Sequence, residues 1–265
     1  NPLPYLLFFG LGLLTIISYL ALQIKEHWLE IKKNHFAYLY VAPAAIAMLL
    51  LTAIPFLVGA GVSLFAHHQG SFHFVGLANF LDILLARDWS PGSSLSFYFT
   101  LIVTIVWTLS NLILHVSIGL GLALLLREPW LRLKGFYRAL LIIPWAIPNY
   151  ITALIWKALF HQQFGAINGI LEAIGLSAVS WFGQFSTAFA ANLITNTWLG
   201  FPFMMVVSLG ALQSIPRDLE QAATIDGASS WQRFRYITLP LLKPALVPAI
   251  VLGSVWTFNM FNIIY

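Results

Sequence analysis

Long apolar runs separated by short polar connections dominate this chain of 265 residues. A helix needs about 20 apolar residues to cross the hydrocarbon core of a bilayer. Six runs approach or exceed that length and predict membrane-spanning helices over 3–24, 37–65, 96–126, 137–160, 186–213 and 241–265. The pattern therefore predicts an all-α polytopic membrane protein with at least six membrane helices.

The basic residues fall in alternate connections between these runs. The second connection (66–95) contains only Arg87, and the fourth (161–185) contains no Lys or Arg. The first, third and fifth connections and their borders hold Lys25, Lys32, Lys33, Arg127, Arg132, Lys134, Arg138, Arg217, Arg233, Arg235 and Lys243. Because basic loops stay on the cytoplasmic side, the polar segment 214–240 is predicted to lie in the cytoplasm.

The composition agrees with this pattern and excludes several classes of protein. Charged residues make up only 8% of the chain, against about 25% in a typical soluble domain. Cysteine is absent, which excludes disulfides and thiolate metal sites. A net charge of +4 is too small for this length to indicate a nucleic-acid partner. The sequence has no Gly-x4-Gly-Lys-Ser/Thr phosphate loop, so the chain is not an ATPase.

Two other classes remain as disfavoured alternatives. A membrane enzyme is disfavoured because the sequence has no His-Glu-x2-His or Gly-x-Ser-x-Gly motif and no pair of mid-span carboxylates. A secondary transporter normally needs ionisable residues within the membrane, and here these are almost limited to His115 and Lys157. Lys157 can snorkel to the interface. His115 either lines a pathway or hydrogen-bonds to Asn111 or a neighbouring helix.

The outer connections carry few signals of chemistry. His67, His68 and His73 lie in the second connection. Without carboxylate or cysteine partners they favour a solvated loop over a metal site. The fourth connection predicts a short interfacial helix within 165–180.

The cytoplasmic segment predicts two helical pieces. Ser214 is a candidate cap and Gly227 a natural stop, which together predict a helix over 215–226. A second short piece, capped by Ser230, is predicted to reach Tyr236. By pattern alone, this is equally well a plain connecting loop that contains an amphipathic helix.

The same segment resembles a family motif. The pattern Glu-Ala-Ala-x3-Gly-x9-Ile-x-Leu-Pro is matched, apart from its first residue, by Ala222, Ala223, Gly227, Ile237, Leu239 and Pro240. This pattern is similar to the EAA loop of permease subunits in ATP-binding-cassette (ABC) importers, which docks into the cytoplasmic ATPase. The resemblance implies ATPase-coupling roles for Glu220, Gln221, Ala222, Ala223, Asp226, Gly227 and Ala228. Gln221 replaces the usual Glu, which leaves open whether one salt bridge to the ATPase is weakened.

The resemblance extends over nearly the whole chain. The stretch 74–80 resembles the Val-Gly-Leu-x-Asn-Phe element of sugar permeases. Trp156, Phe160, Gly165 and Asn168 resemble their Trp-x3-Phe-x4-Gly-x2-Asn element. The stretch 196–216 is similar to the larger membrane subunit of maltose/maltodextrin importers. The resemblance implies the type I ABC importer transmembrane fold of the carbohydrate-uptake branch.

The resemblance also implies a sugar site in the middle of the membrane. In that family a Trp-Leu-Gly-x-Pro-aromatic stretch and a Phe-Asn-x-x-Asn stretch line the site. The positions carried over are Trp198, Leu199, Gly200, Phe203, Phe258, Asn259 and Asn262. Two alternatives stay open from the residues themselves. Gly200 and Pro202 weaken a helix in mid-span and fit either a cavity lining or a packed kink, and the two Asn residues fit either sugar contacts or interhelical hydrogen bonds.

These observations give one set of expectations. Residues 1–35 form an extra membrane helix with a cytoplasmic connection, and residues 36–265 form a permease domain. Both ends are expected to be truncated, with a further helix before residue 1 and two more spans' worth of helix after Tyr265.

The expected function is import of a maltose-like disaccharide or oligosaccharide across a bacterial or archaeal cytoplasmic membrane by alternating access. Expected partners are two ABC ATPase subunits, which bind the ATP and Mg²⁺, a second homologous permease subunit and an extracytoplasmic sugar-binding protein. Another sugar, a polyol or glycerol phosphate is the alternative substrate.

Overall fold

A computed structural model of the chain describes residues 30, 32–68, 70–87 and 89–260. The predicted span 3–24 and the predicted sugar contact Asn262 lie outside the described residues. The chain forms two compact units, one before Trp89 and one from Trp89 onward.

Within the described residues, four helices are long and apolar enough to cross a membrane. Three of them closely match the predicted spans 37–65, 96–126 and 186–213, and the fourth overlaps the last predicted span. Their bounds are His35–Val62, Phe97–Arg127, Phe185–Ser214 and Ser230–Phe258. The predicted all-α membrane architecture is therefore confirmed.

The described residues of the first unit begin with one long helix, and a hairpin follows it. Helix α1 (His35–Met48) and helix α2 (Ile54–Val62) are joined without a break by a π-helical turn, Leu49–Ala53. The π-turn precedes Pro55, whose missing N–H leaves a carbonyl one turn earlier without its normal donor. Strands β1 (Phe65–His68) and β2 (Ser71–Phe74) then pair antiparallel.

A short helix closes this unit. Helix α3 (Ala78–Leu84) follows the hairpin. Asn79 Nδ2 donates to the carbonyls of Ser63 (2.9 Å) and Phe65 (3.1 Å). The Asn of the Val-Gly-Leu-x-Asn-Phe element therefore holds the start of α3 against the residues that follow α2.

The second unit contains eight helices among the residues that the structure describes from Trp89 onward. They are α4 (Phe97–Arg127), α5 (Lys134–Ala146), α6 (Asn149–Leu159), α7 (Ala166–Ala173), α8 (Phe185–Ser214), α9 (Arg217–Ile225), α10 (Ser230–Arg233) and α11 (Leu239–Phe258). A π-helical turn, Phe234–Thr238, joins α10 to α11. Like the π-turn of the first unit, it comes just before a proline, Pro240.

The predicted span 137–160 differs from the observed structure. The chain forms two helices here, α5 and α6, bent by 94° at a short break. Ile147 is extended and Pro148 is the N-cap of α6. Proline has no amide donor and disfavours helical backbone in the residue before it, which explains why the helix breaks at this point.

Helices α4 and α8 form the centre of the second unit, and they approach closely at Gly119. A β-carbon added at Gly119 would lie 2.7 Å from both Met204 Cβ and Met205 N. A side chain here would force the helices apart, so only glycine permits this packing. The buried apolar cluster next to this contact joins α4, α8 and α11 through Ala123, Leu126, Met205, Leu209, Leu212, Leu242 and Leu246.

The segment 214–240, which is predicted to be cytoplasmic, forms the predicted helix but with a different N-cap. Helix α9 has Pro216 as its N-cap, while Ser214 Oγ donates back to Ala211 O at 2.8 Å, so Ser214 is not the cap. Gly227 follows α9 with φ +83°, which confirms the predicted stop.

The second predicted piece also begins and ends differently. Ser229, rather than Ser230, caps α10, and it forms a capping box with Gln232. The helix does not stop at Tyr236 but continues through the π-turn into α11. The predicted cap was wrong because two serines stand side by side and only the first precedes a Gln at the right spacing.

Candidate functional site

A cavity of about 630 Å³ lies within the second unit, where α4, α8 and α11 meet the break between α5 and α6. This size is typical of small-molecule sites, which span roughly 300–1,000 Å³. The lining comes from five places along the chain: His115; Trp145, Ala146, Ile147, Pro148 and Asn149; Asn196, Leu199, Gly200, Phe203 and Met204; Gly253, Val255, Trp256 and Thr257; and Asn259 and Met260.

The structure brings together four of the seven residues that the sequence predicts for the sugar site. Leu199, Gly200, Phe203 and Asn259 all line the cavity. The remaining three are Trp198, Phe258 and Asn262, the last of which lies outside the described residues.

Two of the predicted residues are placed elsewhere. The ring of Trp198 packs edge-on against Trp156 at 6.0 Å between centroids. Phe258 does not line the cavity, and its side chain is half exposed. Both residues directly neighbour a lining residue in the chain. Because neighbouring side chains of a helix point in different directions, these two point away from the cavity lining.

Three aromatic rings form a row along one side of the cavity. The Phe203 ring lies between those of Trp145 (6.0 Å) and Trp256 (5.2 Å). Each contact is tilted, with interplanar angles of 51° and 57°. Such rings supply apolar faces that a flat apolar ligand surface can stack upon.

The residues at the α5–α6 break were missed from the sequence. Pro148 ends the first helix, and the break brings Trp145 and Asn149 to the cavity. The signal that would have found them is the pair of prolines Pro144 and Pro148, four residues apart inside an apolar run and followed by Asn149. Irregular backbone at membrane depth is tolerated where it lines a cavity.

Gly200 and Pro202 were also expected to weaken the helix beside a cavity, but the structure shows no break at these residues. Helix α8 remains continuous from Phe185 to Ser214 with Pro202 inside it. Packing explains why position 200 is a glycine, because a β-carbon there would collide with the His115 ring. The irregular backbone beside the cavity is therefore at the α5–α6 break and not in α8.

A buried chain of hydrogen bonds connects α4, α8 and α11 beside the cavity. His115 Nε2 lies 2.9 Å from Asn196 O, and Asn196 Nδ2 donates to Asn111 Oδ1 at 2.8 Å. Asn111 Nδ2 donates to Trp107 O at 2.9 Å, and Trp107 Nε1 donates to Thr257 O at 3.2 Å. Polar groups in a membrane require such partners. His115 bonds to a neighbouring helix, as predicted, and its ring also lines the cavity.

The cavity carries no formal charge from acidic or basic side chains. Among the described residues that line it, none is Asp, Glu, Lys or Arg. Its polar side-chain groups are amides, one hydroxyl, one imidazole and the indole N–H groups of Trp145 and Trp256. The described part of the chain also contains no group of three or more His, Cys, Asp or Glu residues that could hold a metal ion.

On the predicted cytoplasmic side, the residues predicted to couple to an ATPase do not all face outward. Gln221, Ala222, Asp226 and Gly227 are exposed, and Ala223 and Ala228 are partly buried. Glu220 differs, because its carboxylate is turned toward the body of the unit. Its Oε1 accepts from Arg127 Nη1 at 2.6 Å and from Thr238 Oγ1 at 3.2 Å.

Next to this helix the surface has a shallow hollow of about 330 Å³. Its lining includes Asp226, Gly227 and Tyr236, and Arg233 Nη1 donates across it to Ala228 O at 2.8 Å. The hollow follows directly from the left-handed turn at Gly227, which separates α9 from α10.

The chain is similar to a protein family and to curated transport proteins. Residues 115–265 match the family described as binding-protein-dependent transport system inner membrane component. The chain is 36% identical over 252 residues to the galactooligosaccharide transport permease GanP of Bacillus subtilis, covering 92% of this chain and 59% of GanP.

Two maltose permeases are also similar. The chain is 37% identical over 241 residues to the trehalose/maltose permease MalF of Thermococcus litoralis, covering 89% of this chain and 78% of that protein. It is 44% identical over 161 residues to the maltose/maltodextrin permease MalF of Escherichia coli K12, covering 61% of this chain and 31% of that one. The chain thus spans between about a third and three quarters of these relatives' lengths.

A solved structure has the same fold. A bacterial ABC transporter that imports the acidic polysaccharide alginate matches with a TM-score of 0.70 at 23% identity, covering 88% of this chain and 77% of the other. This likeness confirms the predicted ABC permease fold.

Proposed function

The chain belongs to the family of binding-protein-dependent transport system inner membrane components, and we propose that it is the membrane-spanning permease subunit of an ATP-driven importer for an uncharged disaccharide or oligosaccharide. The observation that carries this proposal is the uncharged cavity, lined by aromatic rings and amides, among the membrane-spanning helices.

The cavity fits the two surfaces of a sugar. A sugar ring has apolar faces, which pack on aromatic rings such as those of Trp145, Phe203 and Trp256. Its hydroxyl groups both donate and accept, and so do the amides of Asn149 and Asn259. Asn259 donates through Nδ2 to Val255 O at 2.9 Å, which leaves its carbonyl oxygen as an acceptor for a ligand.

The absence of charge in the cavity favours an uncharged substrate. A carboxylate or phosphate taken out of water must be paired with a cation, because burying an unpaired charge costs several kcal/mol or more. Alginate is acidic, while the galactooligosaccharide and maltose permeases are named for neutral sugars. The second candidate, glycerol phosphate, is disfavoured by the same argument, while a polyol remains compatible with the cavity.

The mechanism is alternating access driven by partner subunits. An extracytoplasmic binding protein delivers the sugar, and a second homologous permease subunit completes the pathway. Two ABC ATPase subunits bind ATP and Mg²⁺, dock on α9 from the cytoplasm and close. This chain's part is to hold the sugar in the cavity and to convert movement of α9 into a change of access. The placement of α9 in the cytoplasm is supported by the basic residues around it.

The test is ATP hydrolysis by the full complex, reconstituted in proteoliposomes with its binding protein. The panel consists of maltose, longer maltodextrins, trehalose, galactooligosaccharides, alginate oligosaccharides and glycerol phosphate. We expect stimulation by one neutral saccharide and none by the charged compounds. Loss of one hydrogen bond in the Asn259→Ala variant should raise the half-maximal sugar concentration about tenfold.

Ser254→Ala is the matched control for this substitution. Ser254 lies in α11, which Asn259 directly follows. It does not line the cavity, and its hydroxyl donates to Ile250 O at 2.7 Å. This variant should respond to sugar as the unmodified chain does. Stimulation by the charged compounds alone would refute the proposed substrate class. Failure of any ATPase to associate with the chain would refute the importer itself and favour a secondary transporter.

A further inference from the structure

Three elements meet at the carboxylate of Glu220. Glu220 lies in the first turn of α9, Arg127 is the last residue of α4, and Thr238 is the last residue before α11. One oxygen, Glu220 Oε1, accepts from both Arg127 Nη1 (2.6 Å) and Thr238 Oγ1 (3.2 Å). Helix α9 is thereby attached to two membrane-spanning helices through a single group.

This ion pair is shielded from water. The side chains of Arg127 and Glu220 are 14% and 28% exposed. In an exposed ion pair of the first unit, by comparison, Arg87 and Asp82 are 61% and 37% exposed. Exposed pairs contribute little because water screens them, whereas hydrogen bonds between charged groups that are partly buried are stronger. Arg127 also stands at the C-terminus of α4, where the helix dipole favours a cation.

Both attached helices lead to the cavity. His115 lies twelve residues before Arg127 in α4, which is about 18 Å at 1.5 Å per residue. The opposite end of α11 carries Trp256 and Thr257, which also line the cavity. Lys134 Nζ donates to Arg127 O at 3.2 Å and so ties the start of α5 to the same point.

We propose that Glu220 is a positioning residue whose ion pair with Arg127 and bond to Thr238 transmit movement of α9 to the cavity walls. This inference rests on the proposed importer function. It gives Glu220 a role different from the one implied by the motif, since its carboxylate faces the spans and not the surface where an ATPase docks. The residues left to contact the ATPase are the exposed ones, such as Gln221 and Asp226.

The first experiment compares Glu220→Gln with Glu128→Gln in the reconstituted complex. Glu128 directly follows Arg127, is exposed and lies outside α9. For Glu220→Gln we expect ATPase subunits to co-purify in normal amount, while the ratio of sugar-stimulated to basal ATP hydrolysis falls about tenfold, within the usual range of coupling between two sites. Glu128→Gln should leave both quantities unchanged. Loss of the co-purifying ATPase in Glu220→Gln alone would make Glu220 a docking residue and overturn the inference.

Exchange of the two charges tests the pair itself. Arg127→Glu combined with Glu220→Arg should recover most of the stimulated activity that either single change loses, because an ion pair is formed again. A double variant no better than the worse single variant would count against transmission through this pair.

A reversible cross-link separates transmission from a purely structural role. The chain has no cysteine, so Arg127→Cys with Glu220→Cys gives one unique pair of thiols, to be joined by a reducible bismaleimide that spans the two positions. In the assembled complex we expect stimulated hydrolysis to be high when the link is intact and about tenfold lower after reduction. The cysteine-free chain, treated identically, controls for effects on the partners. Equal activity with and without the link would overturn the inference.

The two proposals fail in different ways. If the unmodified complex shows no sugar-stimulated ATP hydrolysis, the proposed function is wrong. If the unmodified complex is stimulated and the Glu220 and cross-linked variants behave as it does, the importer stands and the inference about Glu220 is wrong.

Discussion

The contact between α4 and α8 at Gly119 allows a prediction whose magnitude follows from the structure. In Gly119→Ala the new β-carbon would lie 2.7 Å from Met204 Cβ and Met205 N. Comfortable contacts between carbon atoms are about 3.5–4.0 Å. Helix α8 therefore has to move away by roughly 1 Å at this point, and its backbone nitrogen cannot rotate aside as a flexible side chain could.

Gly121→Ala is the matched control, because it makes the same chemical change in the same helix. A β-carbon at Gly121 meets nothing within 4 Å. Both substitutions gain about 1 kcal/mol of helix propensity, and this gain cancels in the comparison. What remains is the overpacking cost at Gly119, which is typically about 1–3 kcal/mol.

Thermal unfolding in detergent, followed by tryptophan fluorescence, measures the difference. For a chain of this size 1 kcal/mol corresponds to about 2–4 °C in Tm, so Gly119→Ala should unfold about 5 °C below Gly121→Ala. A Tm for Gly119→Ala equal to or above that of Gly121→Ala would refute the close approach of the two helices.

Three further predictions concern the cavity, the turn after α9 and the bond between Asn111 and Asn196. Gly200→Ala should push the His115 ring out of position and weaken sugar-stimulated ATP hydrolysis at least fivefold in an assembled complex. Gly210→Ala should not have this effect, because a β-carbon there meets nothing within 4 Å. Equal activities of the two variants would contradict the contact between Gly200 and His115. Gly227→Leu forces a branched residue into a left-handed conformation (φ +83°) at a cost of about 1–2 kcal/mol, and should uncouple ATP hydrolysis from transport. Normal sugar-dependent turnover there would count against docking at α9. Asn111→Leu and Asn196→Leu each remove one partner of the same hydrogen bond. The change in the free energy of unfolding of the double variant should therefore differ from the sum of the two single changes by about 0.6–1.7 kcal/mol. Strict additivity would argue against the bond.

The spans were predictable because hydropathy acts locally. Each run of apolar residues must be helical in lipid to satisfy its own backbone, and three of the four observed spans match their predicted bounds closely. The fourth, Ser230–Phe258, only overlaps the predicted 241–265. The predicted span 137–160 is broken into α5 and α6, whereas length alone suggested one straight helix. Pro144 and Pro148 carried the information about the break, but a mid-span proline can also sit inside a continuous helix, as Pro202 does in α8.

The site was predictable only where a motif carried it. Leu199, Gly200, Phe203 and Asn259 came from the family resemblance and do line one cavity. Trp145 and Asn149 lie in no recognised motif, and their position depends on how α5 and α6 pack against α8. Tertiary packing of this kind is set by contacts distant in sequence, so single-sequence patterns do not give it.

The ion pair between Arg127 and Glu220 illustrates the same limit. Arg127 and Glu220 are 93 positions apart, and each had a sufficient local explanation. Arg127 contributed to the orientation signal and Glu220 belonged to the docking motif. Neither pattern indicated that they meet, because charge pairs across a fold leave no periodic signal in the chain.

The walls of the cavity differ in how firmly they are joined. Helices α4 and α8 approach closely at Gly119, and α11 packs with both of them in the buried apolar cluster. The α5–α6 break is the interrupted part of the wall, because Pro148 has no backbone donor. Glu220 contacts the firmly joined helices, through Arg127 at the end of α4 and through Thr238 just before α11. In the proposed mechanism, we therefore expect the α5–α6 break to deform when α9 moves, while the best-packed wall stays intact.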